Sequence, residues 1–300
     1  MNRRQFAATM GVVAVAGVLR AVGPEAAPEV YSNVYPWKTF ATRLKKTFED
    51  DFDGGLAEVK KTGLTGFEPV LTKPEHVTKI APLLQKHGLL MKSFYINSKL
   101  HIQADADASI QNAIAVAAAA KELGATVVVT NPAPIRWSGP ENKTDDQLKL
   151  QAEKLDELGA ALRKQGQTLA YHNHDIELRL GAREFHHMLA GTDPANVKFC
   201  LDAHWVYRGS GDSQVALFDV LKLYGSRIVE LHLRQSVGGV WTETFTTGDI
   251  DYPKLWATLK QMKITPLLVL EQAVEEKSAN TLSATEAHKL GTAYARKIFV

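Results

Sequence analysis

Apolar residues fall along this chain in two alternating patterns. Short, nearly continuous apolar runs of a few residues predict buried strands, and longer stretches with apolar positions every three or four residues predict helices. An extended segment at Tyr31–Tyr35, an irregular stretch and a helix over Gly55–Lys61 form the first pair. A short strand at Gly66–Val70 follows, then a helix opened by Lys73-Pro74-Glu75, carrying Val77, Ile80, Leu83 and Leu84 on one face and closed by Gly88. Leu89–Ile96 precedes an alanine-rich helix over Ala104–Leu123 that ends at Gly124. Ala125–Thr130 precedes a loop rich in proline and glycine, Pro132–Asn142, and a helix from the capping-box spacing at Thr144 to Gly166. The last four strands are Thr168–His172, Val197–Asp202, Arg227–Leu233 and Pro266–Glu271, with helices at Ala182–Leu189, Ser213–Tyr224, Tyr252–Met262 and Ala284–Lys297. Eight alternations with apolar strands call for a parallel sheet covered by helices, and the number favours closure into one (β/α)8 barrel.

The endings of the last four strands carry the candidate chemistry. They read QTLAYHNH with His172, VKFCLDAHW with Asp202, RIVELHLRQ with His232 and PLLVLEQ with Glu271, at steps of 30, 30 and 39 residues. One βα unit takes about 30 residues, so these side chains belong on adjacent strands; the long loop Gln235–Asp251 accounts for the last step. Strand C-termini form the active face of such barrels. Two imidazoles and two carboxylates converging there suit one divalent transition ion, whereas each residue alone would more often be solvated or hydrogen-bonded. Within Tyr171-His172-Asn173-His174 the pleat sends both histidines to one side, with His172 the ligand and His174 above it.

Composition narrows the partners. The 300 residues carry 35 basic and 33 acidic side chains without a long run of either sign, which points away from nucleic acid and toward small polar ligands. Cys200 is the only cysteine and sits in an apolar strand, so its expected role is packing. At the N-terminus, Asn2-Arg3-Arg4-Gln5-Phe6 precedes an apolar stretch, Ala7–Leu19, too short to span a bilayer comfortably. It resembles a twin-arginine export signal, expected over residues 1–27 with cleavage between Leu19 and Val30. The barrel then covers residues 28–300, is periplasmic or secreted, and keeps no membrane anchor after cleavage.

Six motifs carry a family resemblance: Gly63-Leu64-Thr65-Gly66-Phe67-Glu68, Tyr171-His172-Asn173-His174, Leu201-Asp202-Ala203-His204-Trp205, Leu231-His232-Leu233-Arg234, Gly248-Asp249-Ile250-Asp251 and Val269-Leu270-Glu271-Gln272. Together, from Tyr31 to the C-terminus, they resemble sugar phosphate isomerases and epimerases of the xylose isomerase-like TIM barrel superfamily. The resemblance implies one Mn²⁺, Mg²⁺, Co²⁺ or Zn²⁺ held by His172, Asp202, His232 and Glu271, a sugar substrate, and by resemblance only a homodimer. Two positions depart from the family: His172 stands where many sugar epimerases have glutamate, and His232-Leu233-Arg234-Gln235 replaces a His-x-Lys-Asp run.

A divalent ion on the carbonyl and hydroxyl oxygens of a hydroxy-ketone stabilises the enediolate left by proton abstraction. Glu271 is the first candidate base and His174 the second; Glu68 is a candidate for a sugar hydroxyl or acid/base work, with a solvated strand-end acid the equal alternative. Trp205 offers a flat face to a sugar ring, and His204, Arg208 and Arg234 are candidate substrate contacts, against core packing or structural ion pairs as their ordinary fates. Trp137 and Trp241 lie in long loops that could cover the pocket. The resulting expectation is a metal-dependent isomerase or epimerase of an unphosphorylated sugar or keto-sugar, because sugar phosphates are chiefly cytoplasmic. A lyase or hydratase on a keto-glycoside shares the proton abstraction. The other readings are an apurinic-site-type endonuclease, which needs further metals and a basic face, and a non-catalytic periplasmic sugar-binding protein.

Overall fold

In a computed structural model of the protein, residues 27–300 are described. The expected export signal lies, except for its last residue, outside the described residues. Eight parallel strands form the barrel: β1 (Val30–Asn33), β2 (Gly66–Glu68), β3 (Ser93–Tyr95), β4 (Val127–Thr130), β5 (Thr168–His172), β6 (Val197–Asp202), β7 (Ile228–Leu233) and β8 (Leu267–Leu270). Each pairs with its neighbours in sequence, and β1 pairs with β8. Between β2 and β3 the ladder thins to two bridges, Gly66 with Leu90 and Val70 with Tyr95. Backbone bonds from Phe67 N to Leu90 O (2.8 Å) and Leu71 N to Tyr95 O (2.9 Å) carry that seam.

Alternation along the strands sorts the core. Leu169, Tyr171, Phe199, Leu201, Leu231, Leu233, Leu268 and Leu270 join the large cluster beneath the helices, while Tyr95, Val127, Val129, Ala170 and Cys200 form a smaller cluster of their own. Cys200 is a buried free thiol in the smaller cluster, with Sγ 3.7 Å from Glu230 Oε1. Among the described residues no helix is long and apolar enough to cross a membrane.

Three local features were not expressed in the hydrophobic pattern. The stretch after β1 is a helix, Val34–Arg43, rather than irregular chain; Asn33 caps it by accepting from Tyr35 N at 2.7 Å. β-branched and aromatic residues at Val34 and Tyr35 carried the expected extended segment into the first turn of this helix. A seven-residue helix, Ala203–Gly209, starts directly from Asp202. The loop after β7 contains a small hairpin, Ser236–Val237 with Val240–Trp241, turning through Gly238 and Gly239 at φ 59° and 77°.

Two outcomes test this packing. A Cβ on Gly66 would come 2.2 Å from Leu90 O and 2.5 Å from the Tyr31 ring, so Gly66→Ala is expected to destabilise the fold by about 1–3 kcal/mol in urea unfolding. His288 is buried against Trp37, with ring centroids 4.2 Å apart, and burial lowers its pKa from 6.5 to about 4, opposed by its bond to Ala284 O. Between those values the unfolded chain takes up a proton that the folded chain refuses, so stability falls as pH drops through 6.5 and levels off below 4. Denaturation across that window is expected to show His288→Phe losing roughly 2–3 kcal/mol less than the parent.

Candidate metal centre and substrate cleft

Register delivers the four ligand candidates to one point. Asp202 pairs with His232, His172 pairs with Cys200, and Glu271 follows the Leu270–Leu233 pair on β8. Their outward-facing neighbours belong to the apolar cluster beneath the helices. The four residues are buried, and the ligand atoms they offer lie within 4.8 Å of one another. His172 Nε2 is 4.0 Å from Asp202 Oδ2 and 3.8 Å from Glu271 Oε2, and His232 Nδ1 is 3.1 Å from Glu271 Oε2.

Local structure braces the strand ends that carry Asp202 and His172. Asp202 Oδ1 accepts from Trp205 N at 2.9 Å and so caps the short helix, which leaves Oδ2 for the centre. Asn173 braces β5 to β6, donating to Asp202 O and accepting from Asp202 N, each at 3.1 Å. Asn131 donates to His172 O at 3.0 Å and to Glu177 at 3.1 Å, and Glu177 in turn accepts from His174 N at 2.6 Å.

Electrostatics in this buried site push the candidates' pKa values apart. Burial works to raise Glu271, but Arg234 and His232 hold its carboxyl well below the usual range. Burial and the Glu271 charge lift Asp202 to about 7 even though Arg234 opposes them. Burial and the neighbouring His232 charge lower His172 to about 4. Burial works to lower His232, yet Cys200, Glu68 and Glu271 around it push it well above its ordinary value.

The atoms at this point fit a divalent ion. His172 Nε2 and Asp202 Oδ2, 4.0 Å apart, are buried without a hydrogen-bond partner among the described residues, an expensive condition that a cation would relieve. The separations of 3.1, 3.8 and 4.0 Å match ligand pairs around an ion with bonds of about 2.1 Å. Two imidazoles and two carboxylates suit Mn²⁺, Co²⁺ or Zn²⁺, with Mg²⁺ also served by the carboxylates.

A cavity of about 380 Å³ opens over Glu271 and Arg234 and is lined by Asn33, Tyr35, Tyr95, Asn97, Trp137, His174, Asp175 and Trp205 as well. Arg234 is buried, with Trp205 and Trp241 on its guanidinium at 4.8 and 4.3 Å. It donates to Glu271 Oε2 at 2.7 Å and keeps Nε and one terminal nitrogen unpartnered. The sequence pattern of the xylose isomerase-like TIM barrel family matches residues 56–293. The chain belongs to that family.

Other similarities are more distant. An inosose dehydratase from Clostridium perfringens is 27% identical over 165 residues, 48% of this chain and 54% of that protein, so the chain spans about half the length of the curated relatives it matches. A sugar phosphate isomerase/epimerase from Parabacteroides distasonis superposes with TM-score 0.68 at 20% identity, covering 95% of this chain and 98% of that one. A xylose isomerase-like TIM barrel protein from Mycobacterium smegmatis in complex with magnesium gives 0.69 at 13% identity, covering 91% and 97%. At these identities the structural likeness is one of fold.

The other site candidates divide. His174, Trp205 and Arg234 line the cavity together with Glu271. Glu68 does not: it is fully buried below His232, where it accepts from Asn33 at 2.5 Å and from Ser93 at 2.7 Å. The end of β2 turns it into the barrel, where it meets Asn33, Ser93 and His232. Arg208 is spent on both oxygens of Glu275, at 3.1 Å each, and on Gly239 O, which ties the hairpin to the loop after β8. His204 is buried with Nε2 3.0 Å from Ser236 Oγ, so it supports the same hairpin instead of lining the cleft. Trp137 covers the cavity, whereas Trp241 stands behind Arg234. Asn33, Tyr95, Asn97 and Glu230 escaped the sequence reading; the first three stand at or just past the ends of β1 and β3, the position that identified the ligands.

One divalent ion per chain is the expected stoichiometry in calorimetric titration with Mn²⁺. His172→Ala is expected to weaken that binding at least 100-fold, with the far-ultraviolet circular dichroism of the barrel unchanged.

Proposed function

We propose that the protein is a divalent-metal-dependent isomerase or epimerase of an unphosphorylated sugar or keto-sugar, acting by proton abstraction beside a carbonyl. The observation that carries this reading is Glu271: one oxygen is held by Arg234 and His232, while the other accepts no hydrogen bond among the described residues and the side chain lines the cleft. A carboxylate kept ionised at the floor of a sugar-sized cavity is equipped to accept a proton from a bound hydroxy-ketone. The divalent ion, when bound, supplies polarisation of the substrate's carbonyl and stabilises the charge that builds on its oxygens.

The chain's own groups divide the remaining work. Burial lowers His174 well below its ordinary value, and the His172 ring adds to this, so the imidazole is neutral and can take or relay a proton on the cavity wall. Arg234, with two buried donors to spare, orients a substrate oxygen. Trp205 and Trp137 exclude water and offer faces to the ring. Among the described residues lining the cavity Arg234 is the one lysine or arginine, beside the acidic Glu271 and Asp175, which supports a substrate without phosphate. A periplasmic or secreted location, reached by the twin-arginine route, fits the same choice of substrate.

Elimination is the second reading. The distant dehydratase relative favours it, because loss of water from a keto-sugar starts with the same proton abstraction. In D₂O, the metal-loaded protein is expected to place deuterium beside the carbonyl of its ketose or keto-glycoside substrate. Glu271→Gln is expected to abolish that exchange by at least 1,000-fold. Stereoinversion without loss of mass marks an epimerase, and an unsaturated product marks a lyase. An epimer or isomer formed without solvent deuterium would overturn the first reading, and an unsaturated product that keeps the hydrogen beside the carbonyl would overturn the second.

A further inference from the structure

One layer below the metal quartet lies a cluster that the proposed reaction does not use. Glu230 precedes His232 by two residues on β7, so the pleat points both side chains into the barrel, one beneath the other. Glu230 Oε1 is 3.1 Å from His232 Nε2, and Glu68 Oε1, arriving from β2, is 3.2 Å from the same nitrogen. Asn33 and Ser93 hold Glu68 in place. All three ionisable groups have no exposed surface.

We propose that Glu68 and Glu230 act as a positioning pair that turns His232 with Nε2 down and Nδ1 up, and so dictates which nitrogen meets the ion. The proposal rests on the metal reading above. A neutral imidazole carries its proton on one nitrogen, and an ion needs the other nitrogen bare. Two carboxyl oxygens below Nε2 accept its N–H and leave Nδ1, 3.1 Å from Glu271 Oε2, as the nitrogen that faces the metal centre and gives up its proton when the ion binds. Stability alone does not account for the arrangement, since buried charged groups are often replaced by apolar ones at no cost.

The test combines Zn²⁺ and Mn²⁺ titration calorimetry with long-range ¹H–¹⁵N correlation spectra of the Zn²⁺-loaded, ¹⁵N-histidine-labelled protein. Wild type is expected to show His232 protonated at Nε2 and ligated through Nδ1. Glu230→Ala is expected to raise both dissociation constants roughly 10–100-fold and to disperse that pattern. Glu230→Gln keeps an acceptor and is expected to stay within about threefold with the pattern intact. Glu230→Met, which fills the volume without an acceptor, carries the same expectation as Ala where Ala unfolds. Ion affinity within twofold and an unchanged His232 pattern in Ala or Met would overturn the pairing. A wild type that binds neither ion would instead overturn the metal reading.

Discussion

Parallel pairing across β5 to β8 is the constraint on which the site depends. It lets each of these strands expose a leucine or an aromatic to the helices and, one residue later, a polar group to the barrel interior. A slip of one residue in any of these ladders would send a ligand outward and a leucine inward. The apolar packing beneath the helices therefore fixes the chemistry at the top of the barrel, because that packing sets the register.

Such a centre is costly to keep folded. His172, Asp202, His232 and Glu271 compete for charge within one buried cluster, and the opposed shifts of Asp202 and Glu271 express that competition. Arg234 relieves part of it by lying across both carboxylates, 2.7 Å from Glu271 and 3.5 Å from Asp202. Its own desolvation is offset by the indole faces of Trp205 and Trp241. β7 thus carries the candidate ligand His232 and, just past its end, the cation that steadies the others.

The barrel was legible because its signal is repetitive: eight apolar runs and eight helical stretches leave little choice of architecture. His172, Asp202, His232 and Glu271 were legible for the same reason, as polar residues closing apolar runs at the period of one βα unit. What the sequence hid depended on direction. Glu68 closes a strand as Glu271 closes one, yet it is turned under His232 and held there by Asn33 and Ser93, partners 35 and 25 residues away. Arg208 and His204 lie near Asp202 in sequence, but the hairpin after β7 claims both. Glu230 sat inside an apolar run, where a single acid gives no pattern, and only the barrel's cross-section shows what it faces.

The double duty of Asp202 has a consequence for reading loss of function at this residue. One oxygen starts the helix that carries Trp205, and Trp205 is a wall of the cleft and a face for Arg234. Deleting the carboxyl would therefore unravel a turn of backbone as well as remove a chelating atom, two injuries that a single activity measurement would merge. An amide at this position would still start the helix, so the difference between asparagine and alanine there separates architecture from chelation.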